Sequence, residues 1–429
     1  MYMGINNKRV LVTTVGPWSS RVGSDTMSIL MSQYGADKVA SLYIRATKSD
    51  SKSASRYFQI FEGRVMESVL KRRVRTGAEQ IIGEQTESDE ASAEKARYSS
   101  FGKRRLGLFL FAREFIWKLG KWKSPELNAF LDDFNPEVLI CPIESYIHFN
   151  KLNRYIIKRC HPKVIGFLWD DNFTYKQEPY NFWHQLHRVW LRRSVRSLVK
   201  ECKTIFCLSP KMKEECDKEF GVNSQLLTKP IFKQGEFKPY TVGFPIKMLY
   251  TGNLFVGRDK TMIAIVDAMR VINKDEVKVV LDIYTKSVLS KKDRARIEIP
   301  GVCNLHKSIP QSEVFKLQDE ADVLLFAESL ERKKDQGARL SFSTKITDYF
   351  RAGKCIWTVG SPTLGPVDYL KRMDASLVST DCESIMSVLE QITSNPGIIS
   401  EYAKKGYDCG QKNHNGDKIL NTLYNAINS

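Results

Sequence analysis

Apolar positions in this chain gather into short unbroken runs rather than alternating ones. Lys8 to Val15 (KRVLVTTV), Val39 to Ile44 (VASLYI), Glu137 to Pro142 (EVLICP), Val164 to Trp169 (VIGFLW) and Thr204 to Leu208 (TIFCL) are of this kind in the first half. Lys247 to Thr251 (KMLYT), Lys278 to Tyr284 (KVVLDIY) and Ala321 to Ala327 (ADVLLFA) repeat the pattern in the second. Runs of this length read as strands buried on both faces, the habit of parallel sheets. Between them the apolar period lengthens to that of a helix, with stop and start residues in place: Ser124 before Pro125, Ser209 before Pro210, and Gly221 after the second of these helices. The alternation predicts an α/β protein with two doubly wound, Rossmann-like sheets.

Gln234 to Pro245 carries two prolines and two glycines and reads as a linker. The expected organisation is an N-terminal domain over 1–235, a linker over 236–245, a second domain over 246–399, and C-terminal helices over 400–429 that cross back to the first domain. After Ile44 the packed-core signal fades, and Thr76 to Gly102 is polar and poor in aromatics, so a mobile loop is expected over about 76–102.

The most informative stretch is Ser341 to Gly360 (SFSTKITDYFRAGKCIWTVG), which reads as loop, short helix, glycine stop and buried strand. At about 100° per residue, Ile346, Tyr349 and Phe350 share one side of the helix, while Thr344, Asp348 and Arg351 share the other. One face packs and the other is free to bind. Ser343 or Thr344 can cap the helix, and its first-turn amides suit a phosphate. Lys345 opposes the helix dipole there, which makes sense if an anion sits beside it. Asp348, one turn further in, can accept hydrogen bonds from ribose hydroxyls.

The string STKITDYFRAGKCIW resembles the S-x-K-hydrophobic-x-E-Y-hydrophobic-A-x-G-K signature of bacterial glycosyltransferases with the GT-B fold, in particular the large retaining family that builds lipopolysaccharide, capsule and other surface glycans. The resemblance implies a GT-B architecture, two Rossmann-like domains facing a cleft, with the nucleotide-sugar donor gripped by the C-terminal domain and its ribose held by the acidic residue, here Asp348. The family's second Glu, eight residues earlier, is replaced by Leu340, and the loop Glu328 to Arg339 is longer and more charged than usual. The resemblance also places the diphosphate against the turn of Gly252 and Asn253, with either Arg258 or Lys260 as the supporting cation. The amides of Gly252 and of the Ser343/Thr344 turn, with Lys345, would then stabilise the departing nucleoside diphosphate without a metal. The first strand's loop, with Gly16, Ser19 and Ser20, would face the donor phosphates and acceptor.

Other candidates come from strand ends, where open α/β sheets place ligands. Glu144 and His148 follow one apolar run, and Asp170 with Asp171 follows the next. Glu144, His148 and Asp170 are the candidate acceptor-side catalytic groups. His184 and His187 are an i, i+3 pair with no third ligand in view, and no D-x-D occurs, so neither metal nor cofactor is expected.

Composition changes the picture in one respect. The chain has 429 residues with 42% hydrophobic and 27% charged content, ordinary for a globular protein, but its formal net charge is +17. Such an excess implies an anionic partner. No zinc finger, RNP aromatic set or basic recognition helix favours nucleic acid. Gly102 to Lys123 (GKRRLGLFLFAREFIWKLGKWK) instead interleaves aromatics with cations, as an interfacial helix on anionic lipid does. The nine cysteines are scattered without a C-x-x-C pair, and no signal peptide or spanning segment is visible. The expectation is a cytoplasmic enzyme, peripheral on the inner face of the membrane, that moves a sugar from a nucleotide-sugar donor to a surface-polysaccharide or lipid-linked glycan acceptor. The rival readings are a nucleotide-sugar epimerase on the same fold and a non-catalytic binding protein on a decayed one.

Overall fold

A computed structural model of the chain describes residues 8–19, 26–71, 73–80, 107–176, 181–232, 235–331 and 339–429. The chain divides into two compact units. Unit 1 holds Met1–Leu208, Lys213–Leu227 and Leu420–Ser429, and unit 2 holds Ser209–Met212 and Thr228–Ile419.

Unit 1 is built on a sheet of eight strands in the order β4-β3-β2-β1-β5-β6-β7-β8. In chain order its elements are β1 (Val10–Thr14), α1 (Thr26–Met31), β2 (Val39–Tyr43), β3 (Arg56–Ile60), α2 (Glu62–Glu67), β4 (Gly77–Gln80), α3 (Gly107–Leu119) and α4 (Pro125–Phe134). They continue with β5 (Val138–Pro142), α5 (Ile147–Cys160), β6 (Lys163–Leu168), α6 (Phe182–Val199), β7 (Thr204–Cys207), α7 (Pro210–Phe220) and β8 (Gln225–Leu226). All neighbours pair in parallel except β3 with β4. The central strands are buried throughout, as continuous apolar runs require. Ser124 caps α4 as its sequence indicates, accepting from the Leu127 amide.

The region after Ile44 differs from expectation. It contains β3, and β4 occupies the start of the stretch expected to be a loop. Its strand Gly77–Gln80 is an antiparallel edge, and Arg56 fastens it by pairing with Glu79 at 2.6 Å. Backbone pairing to β3, rather than its own apolar content, makes it a strand. Residues 81–102 lie outside the described residues, as does Ser20.

Unit 2 has six parallel strands in the order β11-β10-β9-β12-β13-β14. Its elements are β9 (Ile246–Thr251), α8 (Arg258–Ile272), β10 (Val279–Thr285), α9 (Lys291–Ile297), β11 (Cys303–Lys307), α10 (Gln311–Glu320), β12 (Val323–Ala327), α11 (Lys345–Ala352), β13 (Cys355–Val359), α12 (Gly365–Arg372), β14 (Leu377–Ser379), α13 (Cys382–Ser394) and α14 (Gly397–Asn413). A last helix, α15 (Gly416–Asn428), passes into the residues of unit 1 at Leu420. Met248, Ile283, Leu325 and Trp357 form the middle of the core. Gly353 ends α11 in the left-handed region at φ 62°, which a glycine adopts without strain. Among the described residues no helix is long and apolar enough to cross a membrane.

Candidate functional site

The carboxyl ends of β9 and β12 and the start of α11 bring together three charged side chains of unit 2. Lys345 is the first residue of α11. Its ammonium lies 5.2 Å from the centre of the Tyr250 ring and makes no ion pair or hydrogen bond among the described residues. Burial, aided by the nearby Arg258 charge, lowers its pKa to about 8. The Glu328 and Asp348 charges oppose that shift from a distance, and neither pairs with the ammonium, which is costly to leave half-buried; open space lies in front of it.

Gly252 provides that room. A Cβ at this position would stand 1.9 Å from the Lys345 Nζ. Its expected contribution through the amide needs correction: the Gly252 N–H donates to the Tyr284 carbonyl at 2.9 Å, extending the β9–β10 ladder. Gly252 therefore acts by lacking a side chain. At Asn253 the backbone carbonyl accepts from the Tyr250 hydroxyl at 2.7 Å, and the side chain is exposed.

Arg258 opens α8 behind the left-handed Gly257, and its guanidinium grips Glu328 with two bonds of 2.8 and 2.9 Å. Glu328 follows β12, and Gly360, after β13, clears its path; a Cβ on Gly360 would meet the Glu328 Cβ at 2.9 Å. Burial raises the Glu328 carboxyl and Arg258 opposes the rise. Lys260 points elsewhere, into an exposed pair with Asp293 at 3.0 Å. Of the two candidate cations, only Arg258 stands in the field of Lys345.

The start of α11 departs from expectation. Thr344 occupies the N-cap in helical geometry and makes no side-chain cap bond. Its carbonyl accepts from the Thr347 hydroxyl at 2.7 Å, and the Ser343 carbonyl accepts from the Ile346 amide at 3.1 Å. The helix is held by its apolar face, Ile346, Tyr349 and Phe350, all buried.

Asp348 is not an open carboxylate. It accepts from Lys229 at 2.6 Å, and both side chains are nearly buried, 12% and 9% exposed. Burial raises its pKa and Lys229 draws it back down. Leu340, in the place of the family's other carboxylate, is wholly buried.

In unit 1, Glu144 and Asp170 follow the adjacent parallel strands β5 and β6. Burial and then the Asp170 charge raise the Glu144 carboxyl to about 7. Asp170 is exposed. Two carboxyl groups with divided environments suit an acid–base task near neutrality. His148 does not join them. Its ring is 2% exposed, stacked on Trp117 at 4.6 Å, with Nδ1 2.8 Å from the Glu114 carboxylate of α3. The expectation for His148 fails because α3 covers it; no face is left for an acceptor. Gly16 follows β1, where its carbonyl accepts from the Thr14 hydroxyl at 2.6 Å. Nothing lies within 4 Å of a Cβ placed there, so no close approach within the chain demands a glycine.

Sequence reasoning missed Glu328 and Lys229. Both lie far along the chain from their partners, by 70 and 119 residues. The signal at Glu328 was a carboxylate directly after an apolar run, one residue closer to its strand than Glu144 is to β5.

No protein-family model matches this chain, and no curated protein matches it by sequence. Solved structures do match, and they define the fold as that of the GT-B glycosyltransferases. Anabaena HepE in complex with UDP aligns over 98% of this chain and 99% of its own, at 8% identity and a TM-score of 0.63. The UDP-forming α,α-trehalose-phosphate synthase of Burkholderia vietnamiensis aligns over 98% and 99%, at 9% identity and 0.56. A mutant of S. aureus TarM in complex with fondaparinux, alpha-GlcNAc-glycerol and UDP aligns over 70% of this chain, at 11% identity and 0.51. This chain spans 57% and 58% of the two TarM chains it matches.

Proposed function

We propose that the protein is a glycosyltransferase that moves a sugar from a nucleotide-sugar donor to a surface-polysaccharide or lipid-linked glycan acceptor, in a retaining, metal-independent reaction. The observation that carries this reading is the unneutralised ammonium of Lys345, set beside Arg258 at the strand ends of a GT-B domain. The bond from the sugar's anomeric carbon to the diphosphate oxygen breaks with its electrons passing to the diphosphate. Lys345 and Arg258 stabilise that charge, and Glu328 holds the Arg258 guanidinium in plane. The acceptor hydroxyl oxygen forms the new bond and gives up its proton, and Glu144, titrating near neutrality, suits the role of base. Asp348 binds the ribose, with Lys229 keeping its carboxylate ionised.

UDP is the nucleotide to try first, because the similar HepE and TarM structures hold it. The helix α3 supports a place at the inner face of the cytoplasmic membrane: Phe115 and Leu119 are 58% and 50% exposed beside Lys118. The deciding experiment is thermal stabilisation of the protein across nucleoside diphosphates and their sugars. A ligand at 100 times its dissociation constant adds about 2.7 kcal/mol. A selective shift with one nucleotide supports the donor site and names its base; no shift with any of them overturns it.

A further inference from the structure

Two cavities open side by side among α3, α5 and α6, helices of unit 1. The first has a volume of about 430 Å³, with Lys118, Lys121 and Lys123 on one wall and Lys151, Arg154 and Lys158 on the other. The second, about 370 Å³, shares Lys151 and Arg154 and adds Arg193 and Trp190. Among the described residues no carboxylate lines either one.

Solvated basic faces are usually interleaved with acids, and elsewhere on this unit they are: Arg56, Arg113, Arg159 and Arg192 all hold carboxylates. Here Lys118, Lys151, Arg154, Lys158 and Arg193 have no ion pair among the described residues. The Arg154 Nε is buried and has no hydrogen-bond partner among the described residues. The Arg154 side chain lines both cavities together with Lys151, so two cations stand in the wall the cavities share, where an anionic group would be held. The walls also carry rings. Tyr155 and Trp122 line the first cavity, where the Lys123 ammonium lies over both, and Trp190, 48% exposed, lines the second.

We infer that these adjacent cavities together form a binding channel for an acidic oligosaccharide, a chain whose carboxylate, sulfate or phosphate groups recur along its length. A membrane would meet the exposed Phe115 and Leu119 of α3, but a flat surface does not enter cavities between helices. A bare polyphosphate would have no use for the exposed Trp190 ring, against which the C–H face of a sugar can pack. Adjacent compartments with cations along both suit an elongated ligand with repeated charge. This rests on the glycosyltransferase reading only in making the acidic chain the acceptor; the binding itself requires no donor.

The experiment is direct binding of an oligogalacturonate, a neutral malto-oligosaccharide of equal length, tripolyphosphate and phosphatidylglycerol vesicles to the full chain. The parent is compared with Lys151→Ala/Arg154→Ala and with the surface charge reversal Lys118→Glu/Lys158→Glu, which alters only exposed side chains. The expected result is salt-sensitive binding of the oligogalacturonate, none of the neutral sugar, and a loss of about tenfold or more in each variant. UDP-induced stabilisation is measured on the same samples. If it persists while saccharide binding fails, the channel is refuted and the donor site stands; if saccharide binds without a UDP shift, the reverse holds. Binding of vesicles alone would assign the surface to lipid, and tripolyphosphate binding as tight as the saccharide's would make it a simple charge sink. Either outcome overturns the inference, as does saccharide binding that both variants keep.

Discussion

The strand ends of the two units carry opposite charge. In unit 2, Lys345 and Arg258 outnumber the single Glu328 that Arg258 grips, leaving a local excess of positive charge. In unit 1, Glu144 and Asp170 face the same end of β5 and β6, and burial, with the Asp170 charge second to it, makes Glu144 hold its proton to about pH 7. The same architecture thus presents a site that lacks an anion and a site crowded with them. Sheet topology decides where a ligand can sit; a few side chains after the strands decide its chemistry.

The largest effect expected is on folding. Asp348→Ala leaves Lys229 buried and unpaired, and should cost about 3 to 5 kcal/mol in denaturant unfolding. Replacing both partners by apolar residues should recover most of that loss while leaving nucleotide binding weak. A cost below about 1 kcal/mol would mean the pair is solvated.

Next is Lys345→Met, which removes an uncompensated cation. Transfer should fall about 100- to 1000-fold, with stability unchanged or improved. Steady-state kinetics beside a melting curve separates these. Glu144→Gln should lower turnover about 100-fold and abolish the acidic limb of its pH profile.

The two units also predict opposite pH responses. Glu144 must be ionised to act as a base, so turnover should rise as pH passes about 7. Lys345 must be protonated to hold a diphosphate. Its free-state pKa is depressed to about 8, so nucleotide affinity should fall above that pH, by about tenfold per unit, until the pKa of the bound form is reached. Titration calorimetry should register proton uptake on binding in that range. Affinity that stays flat to pH 10 would remove Lys345 from the site.

The smallest effect is Lys260→Ala, expected to change stability and nucleotide binding by no more than about 0.5 kcal/mol, because its pair with Asp293 is exposed. A larger loss of binding would return Lys260 to candidacy against Arg258.

Much of the fold was legible because its information is local. The strands β5, β6, β9, β10 and β12 match the largely apolar runs to within a residue or two at their ends, and α11 stops at Gly353 as its sequence indicates. The site was legible only at its anchors. The awkward place of Lys345 in a first turn was enough to single it out, but that Asp348 is tied to Lys229 depends on a contact 119 residues away. His148 lost its candidacy to α3, whose packing over the ring no local pattern announces. β4 escaped notice for a related reason: an edge strand of polar residues exists through its partner.

The depressed pKa of Lys345 has a consequence for covalent labelling. At pH 8 about half of its side chains would be free amine, whereas an ordinary lysine of pKa near 10.4 would offer well under 1%. Amine-reactive acylating reagents at limiting dose should therefore single out this lysine, with the clearance left by Gly252 as the way in. A nucleotide that occupies the site would protect it, so one peptide's loss of label could report donor binding before any sugar or acceptor is known.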